Sequence, residues 1–272
     1  MSPSTASGSS ARAARAAQDS TIFRTLARIG YVVLGILHIL IGVISISIAT
    51  GGGGDADQGG ALAQIQQSPA GVVLLWIIVV GLFALAVWQV AEVFLERDPD
   101  TKKKWAHRVK YLGTAGAYLA IAATAVVYAL GGQSESSESS QTFSAKLLAA
   151  PAGVALLVLV GLIVAAIGAA FIVRGITRAF EKHLDLPTGV ARRGIVTFGV
   201  VGYIAKGIAV GIAGILFVVA ALTHDPEAAG GLDAALHALA GLPFGAIILW
   251  IVGAGLVTYG LFCFARARYA RM

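Results

Sequence analysis

One cysteine in 272 residues, Cys263, excludes an internal disulfide and any cysteine-built metal site. Both methionines, Met1 and Met272, are terminal, so neither is available inside an apolar segment as an axial ligand. Charge is scarce: 12% of residues are charged, with 14 acids against 20 Lys and Arg. Gly-x-Ser-x-Gly, His-Glu-x-x-His and a phosphate-binding Gly-x4-Gly-Lys-Ser/Thr loop are all missing, and no matched pair of acids lies within an apolar run. These absences point away from an enzyme. The four-glycine run Gly51 to Gly54 has no preceding strand and no following Lys-Ser/Thr, so it reads as a flexible outer loop and not as a phosphate cradle.

What is abundant is apolar sequence. Hydrophobic residues make up 57% of the chain and the mean hydropathy is strongly positive, a balance that water cannot solvate as a soluble domain. Six apolar runs, at residues 27–49, 71–95, 108–131, 151–174, 195–222 and 244–265, each approach the ~20 residues that a bilayer-spanning helix requires. Backbone polar groups in hydrocarbon must be paired within their own element, so runs this long are helices. A soluble bundle would show a polar stripe at helical spacing, whereas Val72 to Val87 is apolar around its whole circumference. The fold class is therefore an all-α membrane protein with six transmembrane helices.

Basic residues are distributed almost entirely to one side of these runs. The N-terminal segment carries Arg12, Arg15, Arg24 and Arg28, and the connection after the second run carries Arg97, Lys102, Lys103, Lys104, Arg108 and Lys110. Arg174, Arg178, Lys182, Arg192 and Arg193 follow the fourth run, and Arg266, Arg268 and Arg271 end the chain. The three opposite connections hold Lys146 alone among cations, but Asp55, Asp57, Glu135, Glu138, Asp225, Glu227 and Asp233. The positive-inside rule places both termini in the cytoplasm, with anionic lipid headgroups on that side as partners. Nucleic-acid binding is disfavoured, because the basic segments are short, separate and free of interleaved aromatic platforms. Residues 1–22, rich in Ser and Ala, read as a flexible cytoplasmic tail. The first run is too long for the core of a cleaved signal peptide.

The runs repeat in pairs. Gly30-Tyr31-x3-Gly35-x2-His38-x3-Gly42 aligns without gaps with Gly202-Tyr203-x3-Gly207-x2-Val210-x3-Gly214, and the middle copy reads Lys110-Tyr111-x3-Ala115-x2-Tyr118-x3-Ala122. The partner runs open on Pro69-Ala70-Gly71, Pro151-Ala152-Gly153 and Pro243-Phe244-Gly245, where proline suits a first helical turn. Each then reaches a Gly-Leu pair, at Gly81-Leu82, Gly161-Leu162 and Gly255-Leu256, the middle copy two residues shorter. Three units that cross in the same sense form parallel repeats, at 23–98, 99–186 and 187–272, with an axis along the membrane normal. The expected architecture is a pseudo-threefold bundle in which Gly35, Gly42, Ala115, Ala122, Gly207, Gly211 and Gly214 let helices approach closely. Tyr31, Tyr111, Tyr203 and Trp105 mark one interface, and Trp76 and Trp250 the other.

These tyrosine and Pro-x-Gly helix pairs resemble a known family, together with Glu181-Lys182-His183-Leu184-Asp185-Leu186 and the ending Tyr259-Gly260-Leu261-Phe262 with Ala265-Arg266-Ala267-Arg268-Tyr269. It is domain of unknown function 1206, an actinobacterial integral membrane family built from a transmembrane-pair repeat, usually in three copies. The resemblance covers the chain from about residue 22 onward and implies a bacterial inner membrane setting. It supplies no activity, substrate or site residue. Lys110 and Ala115 depart from the expected glycines, which puts exact threefold symmetry in doubt.

Functional chemistry inside a bilayer shows as polar side chains, which are costly there. The candidates are Lys206, Glu92, Gln89, His38 and Tyr118. Lys206 lies about three turns into the fifth run, where it either snorkels to the interface or pairs with Glu92 or Gln89 near the end of the second. His38 lies near mid-membrane with no second intramembrane histidine to complete a haem site, and reads as a packed, hydrogen-bonded histidine. His224, His237, Asp225 and Asp233 have ligand chemistry without a recognised metal spacing. No cofactor or metal is expected. The reading is a non-catalytic structural or partner-binding membrane protein, with a homo-oligomer or another membrane protein as possible partner. The alternative is a small transporter or channel component using Lys206, Glu92 and His38.

Overall fold

The computed structural model describes residues 20–95, 100–134 and 136–271. The N-terminal tail with Arg12 and Arg15, and Arg97, Glu135 and Met272, lie outside the described residues. Six long helices are found: α1 (Thr21–Ala49), α3 (Gly71–Leu95), α4 (Thr101–Ala129), α6 (Gly153–Ile176), α7 (Val190–Thr223) and α9 (Gly245–Tyr269). The shortest has 24 residues, about 36 Å of helix against a hydrocarbon core of about 30 Å, and all six are long and apolar enough to cross a membrane. Several run past their apolar stretch at the basic end. Ser20 caps α1 by accepting from the Phe23 amide, and Asp100 caps α4 by accepting from the Lys102 amide at 2.9 Å.

The acidic connections are not plain loops. Each contains a short helix, α2 (Gln58–Gln66), α5 (Ser136–Leu148) or α8 (Gly231–Ala240), so each repeat is long helix, short helix, long helix. Pro-x-Gly is the turn between the short helix and the long one. The long helix starts at its glycine and the proline precedes it, contrary to the expectation of proline in the first turn. In every copy the glycine amide donates to the carbonyl three residues back, Ser68, Ala150 or Leu242. A Cβ on Gly71, Gly153 or Gly245 would collide with the carbonyl of Ile65, Leu147 or Ala240, so the turn requires glycine.

The long helices are arranged in chain order around a ring. The closest seams join successive repeats: α3 with α4, α6 with α7, and α9 with α1. The two long helices of the first repeat, α1 and α3, also pack, as do α7 and α9 of the third. Those of the second, α4 and α6, do not pack against each other, so one of the six seams is open. Close backbone approach explains the closed ones. A Cβ on Gly42 would lie 2.5 Å from the Gly253 carbonyl oxygen, and one on Gly168 would lie 2.5 Å from the Gly211 amide nitrogen. Inside the first repeat Gly30 lies against Gly81, and inside the third Gly202 lies against Tyr259 and Gly255 against Ala205.

These contacts correct the register expected for the middle copy. Gly161 faces Gly214 across a seam between repeats, as Gly253 faces Gly42. Counted from the three prolines, Gly161 therefore matches Gly253, and the position of Gly81 and Gly255 is held by Ile163. Lys110 likewise stands where Gly30 and Gly202 stand. Both small residues that close the seam within a repeat are thus bulky in the second repeat, and Ile163 is half exposed at the gap's helix. The second repeat thus lacks the pair of small residues at which the other two repeats bring their long helices to backbone contact.

The acidic end, by contrast, is tied together all the way round. Gln66 donates through Nε2 to the Tyr128 and Gly132 carbonyls, linking the first repeat to the second. Ser137 Oγ donates to the Gly230 carbonyl and Gln141 Nε2 to that of Glu227, linking the second to the third. The Asp233 carboxylate accepts from the Ala56 amide at 2.8 Å, which returns to the first.

Candidate functional site

At the basic end the segment after α6 folds back on the last turn of α9. A 3-10 turn at Ala179–His183 is followed by an antiparallel bridge between Leu184 and Ala270. The Asp185 amide donates to the Tyr269 carbonyl and the Arg271 amide to that of His183, at 2.8 and 3.1 Å. Arg271 also pairs with Asp185, and Arg192 with Glu181. The two separate stretches that carried the family resemblance are therefore in contact. Phe180, fully buried beneath them, packs on Tyr203 and Phe262, so apolar burial holds the clasp in place.

Inside the ring, aromatic rings and cations meet. Arg266 on α9 lies over Tyr31 with its guanidinium carbon 4.3 Å from the ring centroid, and donates to the Tyr31 hydroxyl at 3.2 Å. Arg174 on α6 lies over Tyr203 at 5.4 Å. Its Nε is buried without a hydrogen-bond partner. Lys206 Nζ lies 4.5 Å from the Tyr259 centroid and 5.1 Å from that of Phe171. Such contacts attract a cation by the ring's negative face, more strongly where water is excluded. Tyr118 on α4 is within electrostatic reach of Tyr31, Arg266, Cys263 and Tyr203 across the ring.

His38 is buried against Tyr259, with ring centroids 4.7 Å apart, and its Nδ1 is 2.7 Å from the Leu34 carbonyl oxygen. A carbonyl can only accept, so Nδ1 carries the proton and Nε2 is left as an acceptor. Lys206 and Arg266 are the charges that act on this ring. The ion pair between Lys206 and Glu92, the alternative to snorkelling, is not formed among the described residues. Glu92 and Gln89 belong to α3, which borders α1 and α4, whereas α7 borders α6 and α9 on the other side of the ring. Lys206 takes aromatic partners instead.

Of the small residues expected at seams, Gly35, Gly42, Gly207 and Gly214 lie where a Cβ would meet the backbone of a neighbouring helix, and Ala115 and Ala122 are buried. Gly211 differs: a Cβ there would meet nothing within 4 Å, although its backbone lies against Gly168. The described residues contain no cluster of three or more His, Cys, Asp or Glu placed to hold a metal ion. Sequence reasoning missed Arg174 and Arg266 as interior groups because both sit at the ends of apolar runs, where they read as topology signals.

Beside His183 the cations converge further. Burial, and then the charges of Arg174, Lys110 and Arg266, hold its imidazole down to about 4. Lys110 is on α4 and Arg174 on α6, so the open seam has a cation on each flank.

One family model matches three times, over residues 29–96, 109–178 and 201–270, so that one copy falls on each long-helix pair; its description is Domain of Unknown Function (DUF1206). The chain belongs to this family. The DUF1206 copies contain the three border tyrosines, Tyr31, Tyr111 and Tyr203, whereas the Ala179–Asp185 half of the clasp lies between the second copy and the third. The chain is also similar to an uncharacterized protein of Bacillus subtilis (strain 168), YxxB, at 31% identity over 249 residues, 90% of each chain. That relative does not support the actinobacterial restriction that the resemblance implied. No solved structure matches the chain.

Proposed function

We propose that this DUF1206 protein is a non-catalytic, multi-pass protein of the bacterial cytoplasmic membrane, with both termini in the cytoplasm, and that it works by holding a partner inside or beside the bilayer. The near-complete segregation of Lys and Arg to one end supports the orientation. One observation carries the functional reading: the interior polar groups are engaged by aromatic rings and a backbone carbonyl, not set out as a nucleophile with its base. At the acidic end Leu62, Ile65, Leu236 and Leu239 of the short helices are buried in one core with the long helices, which speaks against a continuous path along the axis. A transporter or channel component remains the second reading, favoured by the half-buried Lys206 and by the open seam between α4 and α6.

Ion and proton flux in reconstituted liposomes separates the two, comparing the full chain with Lys206→Leu. The expected outcome is no flux above empty liposomes for either protein. Flux that the substitution abolishes would replace the first reading with the second and make Lys206 a site residue.

A further inference from the structure

We propose that the open seam between α4 and α6 is a binding crevice for an anionic phospholipid, with Arg174, Arg266 and Lys206 receiving its headgroup phosphate. The inference rests on the proposed membrane setting and goes beyond it by assigning a ligand class and three residues.

Charge is the first argument. Arg174, Arg266 and Lys206 form no ion pair among the described residues, and the two acids of the adjacent clasp are already taken, Glu181 by Arg192 and Asp185 by Arg271. Partly buried cations without a counter-charge are costly, and an anion delivered between them removes that cost. Arg174 keeps a buried Nε with no acceptor, a donor that a phosphate oxygen would satisfy. Lys110, on the other flank of the seam, adds further positive charge.

Depth is the second. Arg174 stacks on Tyr203 and Arg266 on Tyr31, and these tyrosines hold the position of interfacial aromatics at the basic end. The guanidinium groups are thus at the level where phospholipid phosphates lie, and Lys206 is about one turn deeper than Tyr203.

Access is the third. The gap opens sideways, between the two least buried of the long helices, and their outer faces carry exposed Leu112, Leu119, Leu162 and Ile167 that acyl chains can cover. The opposite end is packed with the buried Leu62, Leu236 and Leu239 of the short helices and surrounded by acids. An anion from that side would meet both obstacles. A lipid moving laterally meets neither.

The test is thermal unfolding of the purified full chain in neutral detergent, titrated with phosphatidylglycerol, phosphatidylcholine or inorganic phosphate. Phosphatidylglycerol is expected to raise the transition temperature saturably, and phosphatidylcholine to leave it unchanged. Inorganic phosphate should act only at far higher concentration. Arg174→Gln and Lys206→Gln should each weaken the apparent phosphatidylglycerol affinity about tenfold, the size of one lost charge-assisted hydrogen bond. Lys102→Gln, at an exposed basic position, should not. Arg174 is the safer variant if Lys206→Gln folds poorly. Three results would overturn the proposal: no lipid-specific shift, equal weakening by Lys102→Gln, or inorganic phosphate matching the lipid at equal concentration. Failure of the membrane reading looks different, since the protein would then stay soluble without detergent.

Discussion

Replacing Gly168 by alanine should destabilise the protein, and replacing Gly211 by alanine should not, although the two glycines touch. A Cβ at Gly168 points across the seam between α6 and α7 and would lie 2.5 Å from the Gly211 amide nitrogen, 2.6 Å from its Cα and 2.7 Å from the Gly207 carbonyl oxygen. All three are backbone atoms, so no side-chain rotation relieves the clash. Carbon contacts are comfortable at about 3.5–4.0 Å, so α6 must withdraw by about 1 Å and lose attraction along its tightest seam. Overpacking of this kind costs about 1–3 kcal/mol, offset by up to about 1 kcal/mol from alanine's better helix propensity. The net expectation for Gly168→Ala is a loss of about 1–2 kcal/mol, and Gly168→Leu should lose more. A Cβ at Gly211 meets nothing within 4 Å, so Gly211→Ala should be neutral or gain up to about 1 kcal/mol. Reversible denaturation in mixed micelles, followed by tryptophan fluorescence, measures both. Equal losses at the two positions would refute the idea that backbone approach at this seam is what the glycine permits.

Two further outcomes follow from groups outside the long helices. Asp57 caps α2 by accepting from the Gly60 amide at 2.9 Å, yet burial, with Asp233 and Asp55 nearby, raises its carboxyl above the usual range. Asp57→Asn keeps the cap and removes the buried charge, so chemical denaturation at neutral pH should show unchanged or higher stability. Asp57→Ala should lose about 1 kcal/mol, and the reasoning fails if Asn is as damaging as Ala. His183, held down to about 4, stays neutral in the fold while the unfolded chain takes up a proton below about 6.5. Stability should therefore be fully retained above that pH and decline as pH falls toward 4, weakly, because the residue is partly exposed. His183→Gln should flatten that part of the stability profile, and an unchanged slope would assign it to other groups.

Much of this architecture was legible because its causes are local. A run of about 20 apolar residues identifies its own helix, Lys and Arg segregate by connection, and a repeat of Gly-Tyr or Pro-x-Gly is visible one copy at a time. The short helices were missed because hydrophobic length was the signal followed, and α5 is as polar as a loop. The Lys206 and Glu92 pairing failed for another reason: both residues suit an ion pair, but no local feature says that α3 and α7 lie on opposite sides of the ring.

The sequence by itself determined six membrane-length helices, three parallel repeats and a basic end opposed to an acidic one, since composition and hydrophobic length act within each segment. Only the tertiary structure decided which glycine meets which backbone, and hence that Gly161 matches Gly253 and Ile163 holds the place of Gly255. That two-residue difference in register, with Lys110 in place of a glycine, falls in the one repeat whose seam is open. The physical reason is steric: helices close to backbone contact only where both faces are small at the same height, a condition set jointly by two distant segments.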